Sequence, residues 1–458
     1  MGNSLGGSST AVLRALAAGV DPEGYFRRRG ASDDPFVLRF PGLGEVLFVS
    51  SKEGAREVLT APTSLCRAPT PNPIEPIVGE RSLILLSGER HRRTRGLLMP
   101  ALNGERMRAY VDVIAATTAE EIATLRSGDT VAVRKLAQAI ALDVVIRVVF
   151  GVTDHERRHE YAVVIEELMR ANTTALMLVP RLRREIGGRG PWARLVRLRN
   201  QLDQLVSEDI ERRRAEDLPV SDMLDLILSA TDEDGKGLCD EDMHQQLRTL
   251  LAAGHETSAT SLTWALYHIH RDDAVRERVL AELADRPSPR EFAALPYLNA
   301  VIAETLRMHP TVSIVLRRLT APFTVRGVDC PEGAIIGVAL PALHFNPDIW
   351  ADPARFDPER FLVAKPSPFE YAPFGGGYRR CIGASFARYE LAVSIGTIMS
   401  TLELEMPEHA RRRTPPRAVA RGIATVPNRE IELEVIGRTS TSSPAAGTAQ
   451  SRPRVRRG

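Results

Sequence analysis

The feature that most constrains the fold is a helical period that runs from 105 to about 283. Across this stretch apolar residues recur three and four positions apart, which is typical of amphipathic helices that pack against one another. Short strand-like runs lie outside it, at 36–40, 46–49, 323–325 and 334–338. The sequence therefore predicts a mainly α fold with minor β, in the α+β class, built as one large domain.

The composition limits the classes of protein to which the chain can belong. Of its 458 residues, 43% are hydrophobic and 26% are charged, which is the balance of an ordinary globular protein. The formal net charge of only +2 gives no reason to expect nucleic acid binding. The best candidate for a membrane span, 136–152, is interrupted by Asp143 and Arg147. With no signal peptide at the N-terminus, we expect a cytoplasmic protein that binds neither nucleic acid nor a membrane.

The cysteines are too scattered for a disulfide framework or a zinc ribbon, and Cys381 alone has distinctive surroundings. It lies in the segment 374–383, where three consecutive glycines allow the backbone to turn tightly and to approach a flat ligand. A helix is predicted over 382–402. Its N-terminus and two neighbouring arginines are expected to lower the pKa of the thiol and favour a metal-binding thiolate. The alternative is a buried, inert cysteine before a helix.

The segment FGGGYRRCIG resembles the haem-binding loop of the cytochromes P-450, F-x-x-G-x-R-x-C-x-G. The two agree at Phe374, Gly377, Arg379, Cys381 and Gly383. The resemblance implies that the cofactor is haem b and that Cys381 is the axial thiolate ligand of its iron. A thiolate ligand donates electron density towards bound dioxygen and favours O–O cleavage.

A second resemblance to the same family lies in the helix predicted over 242–270. Its segment AGHETS is similar to the oxygen-binding stretch [A/G]-G-x-[D/E]-T-[T/S]. The resemblance implies that Gly254 lets the helix lie over the haem, that the Thr257 hydroxyl acts in oxygen activation and that Glu256 relays protons from solvent. The alternative is that Thr257 only bonds a helix carbonyl and that Glu256 is a solvated charge.

Two further sets of residues have roles that the resemblance implies. Glu304 and Arg307 share one helix face at i, i+3, and with Arg360 of the segment PERF they would form a structural network beneath the haem. The residues expected to bind the haem propionates, because cationic donors suit carboxylates, are His91, Arg95, Arg317 and Arg379. Arg318, next to Arg317, leaves that choice open.

The resemblance also implies a substrate pocket lined by the segments 69–86, 250–257, 311–316 and 422–426. Its apolar lining favours a hydrophobic substrate such as a terpenoid, a fatty acyl chain or a macrolide-like polyketide. The residues expected in this lining are Ile74, Ile77, Val78, Ile84, Ala253, Val312, Ile314, Val315 and Ile423. A mobile lid is expected over 176–192, whose arginines either favour an anionic substrate or form a solvated face.

The resemblance covers about 15–437 and implies a single-domain P-450 fold, a triangular prism of helices around the haem. Residues 1–14 would form a flexible arm and 438–458 a disordered basic tail. We expect a bacterial, monomeric haem-thiolate monooxygenase that receives electrons from a separate ferredoxin. Ferredoxin would dock on a basic face formed by Arg92, Arg93, Arg380 and Arg388.

Two other functions stay open at this point. The same fold could act as a peroxygenase or catalyse desaturation or oxidative coupling, although the intact Gly254–Thr257 stretch favours ordinary oxygen activation. A non-catalytic haem-binding protein is the alternative from another class.

Overall fold

The structure is a computed structural model, and it describes residues 21–30, 33–40, 43–102, 106–173, 176–177, 179–184, 187–216, 222–285, 287–422 and 424–439. The expected arm over 1–14 lies outside the described residues, as does the expected tail apart from its first two positions.

Helices make up most of the described chain, because apolar residues at helical spacing find partners in neighbouring helices. Their bounds are α1 Pro22–Gly30, α2 Lys52–Leu59, α3 Glu75–Val78, α4 Gly88–Leu98, α5 Arg106–Glu121, α6 Val133–Val148, α7 His155–Ala171, α8 Pro191–Glu216, α9 Met223–Ser229, α10 Asp240–Arg271, α11 Asp273–Leu283, α12 Pro289–Phe292, α13 Pro296–Met308, α14 Leu340–Leu343, α15 Arg360–Val363, α16 Ala384–Thr401 and α17 Glu408–Arg411.

The strands of the described chain are short, and all but one lie outside the stretch 105–283, as predicted; the exception is Thr130–Ala132. Their bounds are β1 Phe36–Phe40, β2 Gly44–Val49, β3 Cys66–Arg67, β4 Thr130–Ala132, β5 Ile314–Leu319, β6 Phe323–Val325, β7 Val328–Cys330, β8 Ile335–Ala339, β9 Leu402–Glu405, β10 Ala418–Arg421, β11 Ala424–Pro427 and β12 Glu432–Arg438. The largest sheet has the order β1-β2-β8-β5-β3, with β2 and β8 parallel and the other pairs antiparallel. The expectation of a mainly α fold with minor β is confirmed.

The longest helix, α10, has 32 residues and runs through the core. Its buried face includes Leu247, Leu251, Trp264 and Ile269, each at most 1% exposed. One contiguous hydrophobic cluster joins this face to α5, α6, α8 and α16 and continues into β12. Burial of each such large apolar side chain is worth about 1.5–3 kcal/mol, so α10 is a rigid support for any group that it carries. No helix among the described residues is long and apolar enough to cross a membrane.

Candidate active site

The glycine-rich loop before α16 is shaped by positions that only glycine can occupy. Gly377 has a φ of +62°, and a Cβ atom placed there would lie 1.9 Å from the carbonyl oxygen of Leu59. The Cys381 N–H closes the loop by donating to Phe374 O at 2.9 Å. The helix that follows begins at Ala384, two residues later than predicted, so Cys381 lies in the loop itself.

This geometry predicts that Gly377→Ala strongly destabilises the protein. Positive φ alone costs a residue with a Cβ about 1–2 kcal/mol, and the contact with the backbone of Leu59 adds to this. Gly88→Ala is the matched control, because Gly88 has a φ of +58° and an added Cβ would meet no atom within 4 Å. Urea unfolding should therefore show a clearly larger loss for Gly377→Ala. Equal losses of unfolding free energy in the two variants would mean that the loop can shift to accept a side chain at Gly377.

The thiol of Cys381 lies in surroundings that differ from the expectation. The residue is exposed, yet burial raises the pKa of its thiol, and the Gly383 amide and the charges of Arg95 and Arg380 oppose this only in part. Both findings hold together for a side chain that faces a space inside the protein. The expected lowering of the thiol pKa is therefore wrong for the chain alone, because enclosure outweighs the nearby positive charges. Coordination to a metal ion would deprotonate such a thiol.

Arg317 is a buried cation without a carboxylate partner among the described residues. Its side chain on β5 donates to Leu316 O at 2.9 Å and to Gly376 O at 3.4 Å, and its Nε has no partner there. Burial lowers the pKa of Arg317 to about 10. Arg318 points to the other side of the strand, where it donates to Thr70 O and Gly333 O. The alternation of the strand thus favours Arg317 as the anion-binding residue.

Arg379 and His91 lie beside Arg317 around the ring of Tyr378. The Arg379 guanidinium donates to Ile84 O at 3.1 Å and to the Ser87 hydroxyl at 2.9 Å, and no described carboxylate pairs with it. The His91 imidazole is 5% exposed and meets the Tyr378 ring edge-on at 5.6 Å. Burial and then the charge of Arg379 lower the pKa of His91 to about 4, so it is neutral at pH 7 rather than cationic as expected.

Arg95 lies one helical turn beyond His91 on α4, and its side chain forms no hydrogen bond or ion pair with a described residue. Burial lowers the pKa of Arg95, and the nearby thiol of Cys381 opposes this. Arg95, Arg317 and Arg379 therefore create an enclosed positive field that no described acid neutralises, and the neutral His91 imidazole lies beside it. Buried charges normally have partners, so this cluster fits a ligand that carries carboxylates, as the haem propionates do.

Glu304, Arg307 and Arg360 come together as expected. Glu304 and Arg307 are both 0% exposed, and the guanidinium donates to both carboxylate oxygens at 2.7 and 2.8 Å. Arg360 donates to the same carboxylate at 3.2 Å, and the Asp357 N–H does so at 2.8 Å. Arg307 also donates to His344 O at 2.7 Å. The network fastens the loop that precedes the cysteine segment to α13.

Thr257 lies in the middle of α10 and is partly exposed. Its hydroxyl donates to Ala253 O at 2.5 Å, the bond that a threonine commonly makes one turn back inside a helix. A Cβ placed on the preceding Gly254 would meet only Val145 of α6, at 3.4 Å. Protein atoms therefore leave room at Gly254, and the absence of a side chain there matches the expected close approach of a ligand.

Glu256 is neither free nor simply solvated. Its carboxylate accepts hydrogen bonds from Arg134 at 2.9 Å and from Gln138 at 3.0 Å, both on α6. Burial acts to raise the pKa of Glu256, but these two hydrogen bonds and the charge of Arg134 outweigh it and lower the pKa. The carboxylate is therefore ionised at neutral pH, and its bonds to Arg134 and Gln138 oppose the uptake of a proton.

The profile of the cytochrome P450 family matches residues 22–434, almost the whole described chain. The chain belongs to the cytochrome P450 family. This protein is accordingly a monooxygenase that uses a haem cofactor, a small-molecule substrate and a redox partner, which confirms the expected family and enzyme class.

Similar P450 proteins occur in mycobacteria. Cytochrome P450 135B1 of Mycobacterium tuberculosis is 32% identical over 455 residues, covering 98% of this chain and 94% of that protein. Cytochrome P450 137 of the same species is 34% identical over 391 residues, covering 84% and 80%. The solved structure described as retinoic acid bound cyanobacterial CYP120A1 aligns with a TM-score of 0.75 at 23% identity, covering 88% of this chain and 91% of that one. This last likeness shows the fold.

Four of the residues expected to line the substrate pocket of this P450 lie together, and the others are spread over several surfaces. Ile74, Ile77 and Val78 are at most 4% exposed and form one cluster, against which Ile84 and Ala252 pack. They build an apolar wall next to α10, where Ala253 is partly exposed.

The other expected pocket residues do not share one surface. Val315 packs towards α2, whereas its neighbour Ile314 packs on the opposite side of β5, against the cluster that contains Phe26. Adjacent residues in a strand point to opposite faces, so the two side chains cannot line the same part of the pocket. Val312 is 36% exposed, and Ile423 lies outside the described residues.

The basic face expected to dock ferredoxin has fewer unpaired arginines than predicted. Arg92 pairs with Glu89 and Arg93 pairs with Asp232, so both charges are largely neutralised. Arg380 and Arg388 are exposed and form no ion pair with a described residue.

Sequence reasoning missed one buried acid close to the oxygen-binding stretch. Glu390 of α16 is 4% exposed, and its carboxyl group accepts a hydrogen bond from the Ser258 hydroxyl at 2.5 Å. Burial raises the pKa of Glu390 to about 8, although the Ser258 hydrogen bond opposes this. A lone acid directly before the mainly apolar run LAVSIGTIM is the signal that could have found it.

The raised pKa makes stability depend on pH. Because the folded protein holds the proton of Glu390 up to about pH 8 and an unfolded glutamate releases it near pH 4.5, stability falls as the pH rises between these values. The slope reaches about 1.4 kcal/mol per pH unit. Glu390→Gln should remove this part of the slope in urea unfolding, and Glu403→Gln, at an exposed position, should not. An unchanged slope in Glu390→Gln would show that the buried carboxyl is ionised.

Proposed function

We propose that this P450 is a bacterial, cytoplasmic haem-thiolate monooxygenase that holds haem b and oxidises a hydrophobic small molecule with electrons from a separate ferredoxin. The observation that carries the proposal is the enclosed positive field of Arg95, Arg317 and Arg379, with the neutral His91 beside it, next to an accessible, enclosed Cys381. A dianionic haem with an iron to coordinate fits both features.

In this arrangement Cys381 would bind the haem iron, and Arg95, Arg317 and Arg379, together with the neutral His91 imidazole, would hold the propionates. Gly377 keeps the loop close to α2, and the Glu304–Arg307–Arg360 network holds the loop in front of it. When bound, a thiolate-ligated haem supplies the activation of dioxygen. In the overall reaction one oxygen atom enters a C–H bond of the substrate, and the other leaves as water after taking up two electrons and two protons.

The proton path that we propose uses Thr257 and Glu256. When the Thr257 hydroxyl leaves its bond to Ala253 O, it can pass a proton into the pocket and recover one that Glu256 has taken from solvent. Glu256 can accept a proton from solvent when Arg134 moves away, because the carboxylate is 22% exposed and Arg134 is 17% exposed. Such a positioned acid–base pair contributes typically about 10²–10⁴-fold to rate.

The substrate class is supported by the lining. The wall formed by Ile74, Ile77 and Val78 with Ile84 is apolar, and ligand pockets of this kind bind hydrophobic molecules. A terpenoid, a fatty acyl chain or a polyketide-like molecule matches it. The likeness to a P450 with bound retinoic acid supports an extended apolar substrate. Exposed Arg380 and Arg388 support an acidic ferredoxin as the electron donor, and four free cysteines support a reducing compartment.

The test of this proposal is Thr257→Val in the haem-loaded protein supplied with ferredoxin, its reductase and NADPH. We expect oxygen and NADPH consumption to continue while the yield of product falls by about 10²-fold. The reason is that valine has no hydroxyl and cannot pass protons into the pocket. Thr263→Val is the matched control, since Thr263 makes the same bond one turn back, to Ala259 O at 2.7 Å, and is 0% exposed.

Three outcomes would count against the proposal. Equal product yields in Thr257→Val and the wild type would remove the role of the hydroxyl. Turnover that requires hydrogen peroxide would favour a peroxygenase. Ligand binding without any NADPH consumption would favour a non-catalytic haem-binding protein.

A further inference from the structure

Tyr378 lies among the arginines that are assigned to the haem propionates and has no role of its own so far. It occupies the short turn Gly377–Arg379 that precedes the cysteine. The side chain is partly buried, and it packs against the apolar cluster that contains Leu59 and Cys66. The ring is therefore held in place by apolar contacts, so that it can serve as a support for the charged groups around it.

The ring of Tyr378 contacts two of the three arginines. The Cζ atoms of Arg317 and Arg379 lie over the ring, at 5.6 Å and 5.4 Å from its centroid, which is within the range of cation–π attraction. The imidazole of His91 meets the same ring edge-on at 5.6 Å. Because the face of an aromatic ring carries partial negative charge, Tyr378 attracts both guanidinium groups, with which no described acid pairs.

The two guanidinium groups are close enough to repel each other. Burial lowers the pKa of Arg317, and the charge of Arg379 lowers it further. Two like charges in an enclosed space move apart unless other contacts hold them. The shared ring is such a contact, since it attracts both cations at once.

The hydroxyl group of Tyr378 holds Arg379 in a second way. It accepts a hydrogen bond from Arg379 Nε at 3.3 Å and donates to the carbonyl oxygen of Cys66 on β3 at 3.2 Å. The other two nitrogens of Arg379 donate to oxygens of the segment 84–87. All three nitrogens thus have an acceptor, which fixes the plane of the guanidinium group.

We propose that Tyr378 is a positioning residue of the haem site, which holds Arg317 and Arg379 close together so that both can bind the propionates. The inference rests on the proposed function above and concerns how that site is organised. The ring supplies the cation–π attraction, and the hydroxyl group ties Arg379 to β3. A site whose side chains are ordered in advance loses less entropy when its ligand binds, so the haem should be held more tightly.

The test measures how fast the full chain releases its haem to an excess of apomyoglobin. Two forms are compared, one loaded with haem b and the other with haem dimethyl ester, whose propionates carry no charge. Tyr378→Leu removes the ring and the hydroxyl group, so it should accelerate the loss of haem b by about tenfold, as expected for two cation–π contacts. The loss of the ester should stay within about twofold of the wild-type rate, because the ester does not need the paired charges.

Tyr378→Phe keeps the ring and removes only the hydroxyl group. It should accelerate the loss of haem b by about threefold, the effect of one hydrogen bond, and it keeps the test possible if Tyr378→Leu does not fold. Tyr110→Phe is the matched control. The Tyr110 hydroxyl also donates to a main-chain carbonyl, Ala101 O, at 3.1 Å, and its ring packs against Phe386. Both haems should leave this control at rates within about twofold of the wild type.

A double-mutant cycle tests the contact itself. In the Arg317→Gln background, Tyr378→Leu should accelerate the loss of haem b less than it does in the wild type, because the contact between the ring and this guanidinium is already absent. Fully additive effects would overturn the inference.

The other outcomes separate this inference from the proposed function. A protein without the thiolate-type carbon-monoxide spectrum would overturn both. With a normal spectrum, an equal acceleration for haem b and for the ester in Tyr378→Leu would show that the ring only packs the loop. A Tyr378→Phe variant that loses haem b as fast as Tyr378→Leu would show that the ring does not hold the arginines.

Discussion

Cys381→Ala is expected to abolish the red-shifted Soret band of the reduced carbon-monoxide complex and to eliminate turnover. The other three cysteines are not expected to replace it, because Cys66 and Cys330 are buried strand residues outside the segment 374–383 and Cys239 precedes α10. The physical reason is that only a thiolate ligand donates enough electron density to iron to produce this band and to favour O–O cleavage. Difference spectroscopy of the dithionite-reduced protein under carbon monoxide measures the effect.

Cys239→Ala is the control for this prediction, since Cys239 is exposed like Cys381 but lies outside the glycine loop. Its spectrum should equal that of the wild type. A red-shifted band that persists in Cys381→Ala, or that disappears in Cys239→Ala, would assign the iron ligand to another residue.

Glu304→Ala is expected to destabilise the protein by about 3–5 kcal/mol, because it leaves the fully buried Arg307 without its counter-charge. Both side chains are 0% exposed, and the carboxylate serves two arginines and one backbone N–H. Haem content should fall in parallel, since the network fastens the segment before the cysteine loop. Urea unfolding and the haem-to-protein absorbance ratio measure the two effects.

Two milder variants keep this prediction measurable if Glu304→Ala fails to fold. Arg360→Ala leaves the Glu304–Arg307 pair intact. It removes one bond to that carboxylate, of 3.2 Å, and two bonds to the carbonyl oxygens of Ala351 and Arg355, so its loss of stability should be smaller. Arg92→Ala breaks an ion pair whose side chains are 78% and 74% exposed, and its effect should stay within about 1 kcal/mol. Equal losses for Arg360→Ala and Arg92→Ala would show that burial does not strengthen the network.

Local sequence predicted the parts of the site that depend on neighbouring residues. The helix of the AGHETS stretch was expected over 242–270 and extends over 240–271, because its apolar period is long and uninterrupted. The cysteine loop was located by its glycines. The predicted start of the following helix was wrong by two residues, since Ile382 and Gly383 remain in the loop, and helix ends depend on local capping geometry.

Long-range pairing could not be predicted from the sequence. The pKa of the Cys381 thiol was expected to be lowered. It is raised, because burial among elements distant in the sequence outweighs the charges of the nearby arginines. Arg93 was expected in the basic face, yet it meets Asp232, which is 139 residues away. The carboxylates of Glu256 and Glu390 find their partners 122 and 132 residues away, respectively. One pair is ionic and the other neutral, and only the packing of α10 against α6 and α16 distinguishes them.

By itself the sequence determined which residues can do chemistry in this P450: the cysteine after three glycines, the threonine after Gly-x-Glu, and the Glu–Arg pair at i, i+3. These features are local, because they depend on backbone freedom and on helical spacing. The tertiary structure decided which charges are neutralised. It left the cluster around Tyr378 without acids, because burial and distance, and not residue type, set whether a charge finds its partner.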